Sequence, residues 1–497
     1  MSSEKESYKK IFKATSIFGG IQVLNIAVSI IKSKIIAVLL GPAGLGLITI
    51  FNTTSTLIAS CTNLGINVSS VKAIAVAKPS DKNSSQSLII AVIKKLVWFT
   101  GLLGLLITVI ISPWLSKISF GDSSYTFSFM LLGISLFALQ VSNGQIAILQ
   151  GLRQIKLIAL SSFIGSILGL VISVPLYIYF GKEGIVPALV ISSITAVFTS
   201  WYFLNKLKLP IVSVDFTTIK KEGKQIIRLG FLISLTSIFP ATVAYLVRLF
   251  IANRGSIEDV GLYTAGFAIV GTYVGMIFSA MSTDYYPSLA EVAEDNILCA
   301  QKVNQQLLMS IAILVPILII LLVFIKIGVI ILYSAKFLGT VKMIQWACLG
   351  VYFQAFSFCV AYLFLAKGDG KLFFWNELIP NLYTLILNCV AYYIWGLEGM
   401  GISYLLAYFF YFIQVYYVAK KKYGFSFDLG TIKFCLLQLF FLLITFVSMY
   451  FFMPILSYIV GALLIIFSIF ISFRILEDKM GFFEGIKTRI KKRGIIN

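Results

Sequence analysis

Apolar runs of 18 residues or more recur along most of the chain, each long enough to cross roughly 30 Å of hydrocarbon. In lipid every backbone N–H and C=O must be paired within the protein, and a helix achieves this inside one segment. Composition agrees, since 59% of the 497 residues are hydrophobic and 12% are charged, against ~25% charged in a soluble domain. The expected fold is an all-α polytopic membrane protein.

Fourteen helices are expected, near 14–40, 45–71, 91–115, 125–150, 157–180, 185–205, 226–252, 261–289, 304–333, 341–366, 372–395, 400–419, 434–453 and 455–474. The last two form a tight hairpin at Met453–Pro454. The opening MSSEKESYKK is hydrophilic, so no cleavable signal is expected. An even count puts both termini on one side. With that side cytoplasmic, only Lys117, Lys182, Arg254, Lys336 and Lys342 fall in the opposite loops, and Lys32, Lys34, Arg248 and Lys326 fall inside spans. The rest of the 40 Lys and Arg lie in cytoplasmic loops, tails and flanks, and this bias sets both termini in the cytoplasm.

The net charge of +20 is therefore mostly a topology signal, and nucleic acid is not an expected partner. The tail, KMGFFEGIKTRIKKRGIIN, reads equally as a basic amphipathic helix on anionic headgroups and as a solvated end. Histidine is absent, and the six cysteines are scattered without metal-ligand spacing. They read as small core residues, and no metal or cofactor is expected.

A repeat runs through the chain. FGKEGIVPALV (180–190) and WGLEGMGISYL (395–405) align Gly181, Glu183 and Gly184 with Gly396, Glu398 and Gly399, at an offset of 215. The same offset places Lys156 on Lys371, Tyr177 on Tyr392, Gly46-Leu47 on Gly261-Leu262, Thr49 on Thr264 and Lys13 on Arg228. An even shift of six helices implies a parallel repeat, a transporter architecture that binds substrate between its halves. The expected division is an N-lobe at 1–205, a C-lobe at 206–420 opening with the cytoplasmic linker 206–225, and the last two helices with the basic tail at 421–497.

Charges inside a span cost at least ~2.5 kcal/mol and usually face a cavity or a partner. Gln22, Asn25, Ser29 and Lys32 share one face of the first helix, while Lys34 points about 200° away from Lys32. Lys32 is deep, and it reads as cavity-facing ahead of a structural ion pair or a snorkel; Lys34 can snorkel more easily. On the seventh helix Ser234, Ser237, Tyr245 and Arg248 share a face near Pro240, and Arg248 fits a cavity or a snorkel equally. Asp284 and Glu377 are the acids to consider within spans. Each can pair with a lysine, bind a coupling cation such as H+ or Na+, or sit at the interface. Lys326 has little polar company and reads as packing or snorkelling. Asn52, Asn63, Asn67, Gln140 and Asn143 fit either a hydrated path or interhelical hydrogen bonds. An excess of basic over acidic groups suits an anionic substrate, with phosphate or pyrophosphate the obvious group.

LLGPAGLGL (39–47), SLTSIFPATVAYLVRLFI (234–251), EDVGLYTAGFA (258–268), DYYPSLAEV (284–292) and YSAKFLGTVKMIQWACLGVYFQAFSFCVAYLFLAKGDGKLFFWNEL (333–378) carry a family resemblance. Over about residues 10–420 the chain resembles the polysaccharide and O-antigen translocases, the Wzx-type flippases of the MATE-like MOP superfamily, near their lipid III flippase branch. The resemblance implies an inner-membrane flippase that moves undecaprenyl-pyrophosphate-linked oligosaccharide from the cytoplasmic to the periplasmic leaflet. It also implies a monomer surrounded by membrane lipids, beside the polysaccharide assembly machinery. Basic positions of the family fall on Lys34 and Arg248, its proline on Pro287 and its acid on Glu377, and lipid II flippases have a basic residue near the place of Lys32. Asp284 departs from the pattern, where an aromatic is expected.

The substrate-binding candidates are thus Lys32, Lys34, Arg248, Asn25, Ser29 and Tyr245, and the ion-coupling candidates are Asp284 and Glu377. A cation-coupled MATE-type exporter would place an embedded acid in a lumen with fewer basic groups. A membrane glycosyltransferase, polymerase or ligase would need a sizeable external loop, yet the expected outer loops are short. A receptor or a scaffold would need no buried charge in two repeated lobes.

Overall fold

A computed structural model describes residues 24–77, 85–210, 212 and 214–480. Its helices are α1 (24–39), α2 (Gly41–Thr62), α3 (Ile66–Val76), α4 (Ser85–Phe120), α5 (Thr126–Gly151), α6 (Ile155–Phe180), α7 (Ile185–Asn205) and α8 (Phe216–Arg254). There follow α9 (Ile257–Ala268), a π-helical segment (Ile269–Val274), α10 (Gly275–Ala290), α11 (Asn296–Leu332) and a 3-10 turn (Ala335–Thr340). The series ends with α12 (Val341–Ala366), α13 (Gly370–Tyr423), α14 (Leu429–Phe451) and α15 (Pro454–Met480). Among the described residues there is no strand, and eleven helices are long and apolar enough to cross a membrane. Gln22, Lys13 and the basic tail lie outside the described residues.

Two departures from the expected helices matter. The second expected helix is two helices, because Leu64 and Gly65 take left-handed φ values of 50° and 64° between α2 and α3. The eleventh and twelfth run together as the 54-residue α13, interrupted only where Gly396 has φ 57° and ψ −139°.

The repeat is written into local geometry. Gly181, the counterpart of Gly396, has φ 55° and ψ −126°. A Cβ on Gly184 would strike the Leu176 carbonyl, and one on Gly399 would strike the Ala391 carbonyl, again at the same offset. A third pair is reciprocal: a side chain on Gly46 would overlap the Ile257 carbonyl, and one on Gly261 would overlap the Pro42 carbonyl. Ile257 is itself the repeat image of Pro42, so each glycine meets the counterpart of the other's contact, and only glycine lets the backbones meet there.

The chain divides into two compact units, Met1–Gly261 with Leu332–Lys336 and Leu262–Ile331 with Phe337–Asn497. Compactness sets α8 with the helices before it, whereas the repeat sets it with the helices after it. The core of unit 1 joins Ile66, Ile93, Val141, Ile148, Leu204 and Ile226 from α3, α4, α5, α7 and α8. Lys95 Nζ fastens the connection before α8 by donating to the Val214 carbonyl at 2.8 Å. In unit 2 the buried Tyr352 donates from its hydroxyl to the Cys435 carbonyl at 2.9 Å, holding α12 to α14. Outward positions such as Ile110, Phe99 and Ile386 are exposed and apolar, the pattern of a surface that meets lipid. Of the cysteines, Cys299, Cys348, Cys359 and Cys435 are buried, Cys389 is half-buried and Cys61 is exposed.

Candidate functional site

The break between α2 and α3 builds a cavity in unit 1. On α2 and at its C-cap, Asn52, Thr56, Ala59 and Asn63 follow helical spacing and share a face. Gly65 then lies so close to α8 that an added Cβ would overlap the Gly230 carbonyl, which fixes where the second segment can restart. Past the break Asn67 and Val68 turn to the same space. α5 contributes Leu136, Leu139, Gln140 and Asn143, α8 contributes Ser234 and Ser237, and the cavity measures about 400 Å3. Non-helical backbone at membrane depth is tolerated where it is covered by protein or lines a cavity, and broken helices are a recurrent way to build transporter sites.

Most of the lining residues have polar side chains and none is acidic or basic, while the surface they expose is mainly apolar. Gln140 Nε2 donates to Thr62 Oγ1 at 2.8 Å, and the Thr62 hydroxyl donates to the Ile58 carbonyl at 2.9 Å. Gln140 Oε1, Ser55 Oγ and Asn67 Oδ1 are buried and have no hydrogen-bond partner among the described residues. Each unsatisfied group of this kind costs about 1–3 kcal/mol, and each of the three is shut off from the open space of the cavity.

Of the five amide residues singled out in the sequence, Asn52, Asn63, Asn67, Gln140 and Asn143 all line this cavity. The expected stripe on α8 divides, with Ser234 and Ser237 in the lining and Tyr245 and Arg248 outside it. Tyr245 is buried, with its hydroxyl 3.4 Å from Ser119 Oγ, and Arg248 Nη1 donates to the Ala244 carbonyl at 2.9 Å. Lys32 and Lys34 are half-buried on α1 and do not belong to the lining. Among the described residues Lys32 makes no ion pair. Asn25 is half-buried with Oδ1 unpartnered among the described residues, and Ser29 is exposed.

The polar groups of unit 2 are arranged otherwise. Tyr404 donates to Gln354 Oε1 at 3.0 Å, and Gln354 Nε2 donates to the Tyr408 hydroxyl at 3.2 Å. Tyr411 donates to Glu377 Oε1 at 2.6 Å. Gln414 Nε2 donates to Asn376 Oδ1 at 2.9 Å, and Ser403 donates to Asn388 Oδ1 at 2.6 Å. Glu398 Oε1 accepts from Trp346 Nε1 at 3.0 Å and from the Tyr450 hydroxyl, while Lys342 Nζ lies 3.6 Å from Oε2. As a functional candidate only Glu377 of these groups was singled out in the sequence, Glu398 entering through the repeat and Lys342 as an outer-loop cation; the signal for the rest was the stripe Tyr404, Tyr408, Tyr411, spaced four and three residues apart. Asp284 is exposed. Lys326 lines a small cavity of about 40 Å3 with Gln345, Ser457 and Tyr458.

Residues 35–342 match the family described as polysaccharide biosynthesis protein. Lipid III flippases of Escherichia coli K12 and Shigella flexneri are each 21% identical over 392 residues, covering 78% of this chain and 93% of theirs. The lipid II flippase MurJ in an inward closed conformation superposes with a TM-score of 0.69 at 14% identity, covering 92% of this chain and 99% of its own. An inward-facing multidrug resistance MATE transporter of the MOP superfamily gives 0.60 at 17% identity, covering 80% and 96%. These relatives are flippases and transporters, which sets aside the enzyme alternative.

Proposed function

The chain belongs to the polysaccharide biosynthesis protein family, and from that premise we propose that it flips undecaprenyl-pyrophosphate-linked oligosaccharide from the cytoplasmic to the periplasmic leaflet of a bacterial inner membrane. The observation that carries the reading is the cavity at the α2–α3 break, lined by Asn, Gln, Ser and Thr side chains without a charge, in a chain whose fold is similar to that of a lipid II flippase. A sugar headgroup needs such a shelter from hydrocarbon, and a prenyl tail does not.

Transport proceeds by alternating access, with the repeat halves 1–205 and 206–420 rocking, residues 421–497 supplying the last two helices and tail, and both termini cytoplasmic. Lys32 meets the pyrophosphate, helped by Lys34 and Arg248, with Asn25, Ser29 and Tyr245 as polar neighbours on the same two helices. Glu377, already bonded to Tyr411, is the carboxylate through which H+ or Na+ would couple to the cycle, with the exposed Asp284 the second candidate.

The test is complementation of cells that lack their own flippase, at equal expression. Wild type is expected to restore translocation, and Lys32→Ala to reduce it about 10- to 100-fold, the worth of one hydrogen bond to a charged group. Failure of the wild type with every lipid-linked oligosaccharide offered would overturn the translocation reading. Normal transport by Lys32→Ala would overturn only the assigned pyrophosphate contact.

A further inference from the structure

We propose that a groove between α4 and α7 of unit 1 holds one anionic phospholipid, its acyl chain along the groove and its phosphate against Lys94. The proposal does not depend on the translocation reading and takes from it only which end of the bundle is cytoplasmic.

The floor of the groove is α5, where Val141, Gly144 and Ile148 are buried. Gly144 lets α4 sit close on α5, since a Cβ there would come 2.6 Å from Val97 Cγ2. The walls are exposed rings, Trp98 on α4 and Phe198 and Trp201 on α7. Trp98 is braced edge-on by Phe137, with ring centroids 5.1 Å apart. The space measures about 400 Å3 and exposes mainly apolar surface. From Asn205 to Val197 it runs about 12 Å along α7 at 1.5 Å per residue. It lies across α5 from the cavity at the α2–α3 break, which takes Leu136, Gln140 and Asn143 from that helix. A lipid of the bilayer, rather than the substrate's headgroup, is what this side of α5 meets.

One end of the groove is polar and basic. Lys94 and Asn205 line it there, both exposed, and among the described residues Lys94 makes no ion pair. Lys206 follows, its Nζ 4.6 Å from the centre of the Tyr202 ring. Arg153, Lys156 and Lys208 lie at or beside the connections at this same end of α4–α7. The acids of residues 85–210, Asp122 and Glu183, fall in the connections at the other end. Basic groups at the cytoplasmic surface attract anionic headgroups, whereas a zwitterionic headgroup brings an ammonium that this end repels. A free phosphate would leave the apolar walls unused, and an uncharged chain would leave Lys94 unused.

The experiment uses the full chain in phosphatidylcholine nanodiscs. They are doped with a phosphatidylglycerol whose acyl chain carries a diazirine, or with the phosphatidylethanolamine analogue. After illumination the labelled residues are mapped by mass spectrometry. Label from the anionic probe is expected on α4 near Trp98 and on α7 between Val197 and Trp201. It should exceed that from the zwitterionic probe about tenfold, the worth of one hydrogen bond to a charged group. Lys94→Gln, at an exposed position, should bring the two probes level, and Val197→Trp, which fills the groove, should remove label from both. Lys156→Gln, a cation outside the groove, should leave the ratio unchanged. Equal labelling by the two probes in the wild type, or an undiminished ratio in Lys94→Gln, would overturn the proposal. Label that undecaprenyl phosphate displaces at lower concentration than phosphatidylglycerol does would also overturn it, by giving the groove to the substrate's tail. Translocation is read separately by complementation and stands or falls on that result alone.

Discussion

In unit 2, Gln354 uses both ends of its amide, accepting from Tyr404 and donating to Tyr408. In unit 1, Gln140 gives its N–H2 to Thr62 and leaves its oxygen buried, without a partner among the described residues. Both residues sit in apolar helices, and in both places leaving a polar atom unpaired costs free energy. At Gln354 that cost is met by the two tyrosine hydroxyls. At Gln140 it is left standing. A polar residue in a membrane helix is therefore a sign of function chiefly where its hydrogen bonds are incomplete.

The largest way to break this contrast is to remove the opening itself. Gly65→Val would force a β-branched residue into a left-handed φ of 64° and against the Gly230 carbonyl. A loss above ~4 kcal/mol is expected, read as a collapse of thermal stability in detergent together with loss of transport. Near-normal melting would mean that the break is not a fixed element.

Next in size, Gln354→Leu should cost about 2–3 kcal/mol, because it strips partners from two tyrosine hydroxyls at once. The matching change in unit 1, Gln140→Leu, should alter stability by no more than ~1 kcal/mol, since it loses one bond and also removes an unsatisfied acceptor. The pair is measured side by side as melting temperature and as complementation. Equal destabilisation by the two variants would erase the contrast. The expected result is that the first variant melts early and the second melts near normally but transports poorly.

The smallest effect concerns how each unit fastens its loops. Lys95 holds the connection before α8 through a neutral carbonyl, which has nothing to titrate. In unit 2 Asp369 accepts from the Tyr423 hydroxyl and pairs with Lys422 at 2.9 Å. Those two partners, the tyrosine first, hold its carboxyl below the usual carboxylate range. A lowered pKa stabilises the fold at neutral pH, and that contribution disappears as pH falls through the lowered value, below about 4. A few tenths of a kcal/mol is the expected size for a pair this open to water. Melting curves from about pH 6 to about pH 3 should show an acid-side decline that Asp369→Asn lacks, and matching profiles would refute the assignment.

Hydropathy made the helices legible, and the repeated Gly-x-Glu-Gly made the duplication legible down to residues that now share backbone angles. Part of the site was legible too, since Asn52, Asn63, Asn67, Gln140 and Asn143 stand out in apolar helices. Their convergence was not. It depends on Leu64 and Gly65 leaving helical geometry, and leucine before glycine carries no strong signal for that. The sequence drew attention to Lys32, Lys34 and Arg248 because charge in lipid is conspicuous, whereas the cavity owes its character to having no charge. The tyrosine network of unit 2 was hidden for a related reason, as tyrosine in a membrane helix reads first as an apolar ring.

The reciprocal glycine crossing at Gly46 and Gly261 has a consequence for how such a chain can evolve. Each glycine is held small by a backbone carbonyl belonging to the duplicate of its own neighbourhood, and a carbonyl cannot be mutated away. No second-site side-chain change could make room for a larger residue at either position. At these two positions, which correspond at the offset of 215, each stretch acts as the other's mould.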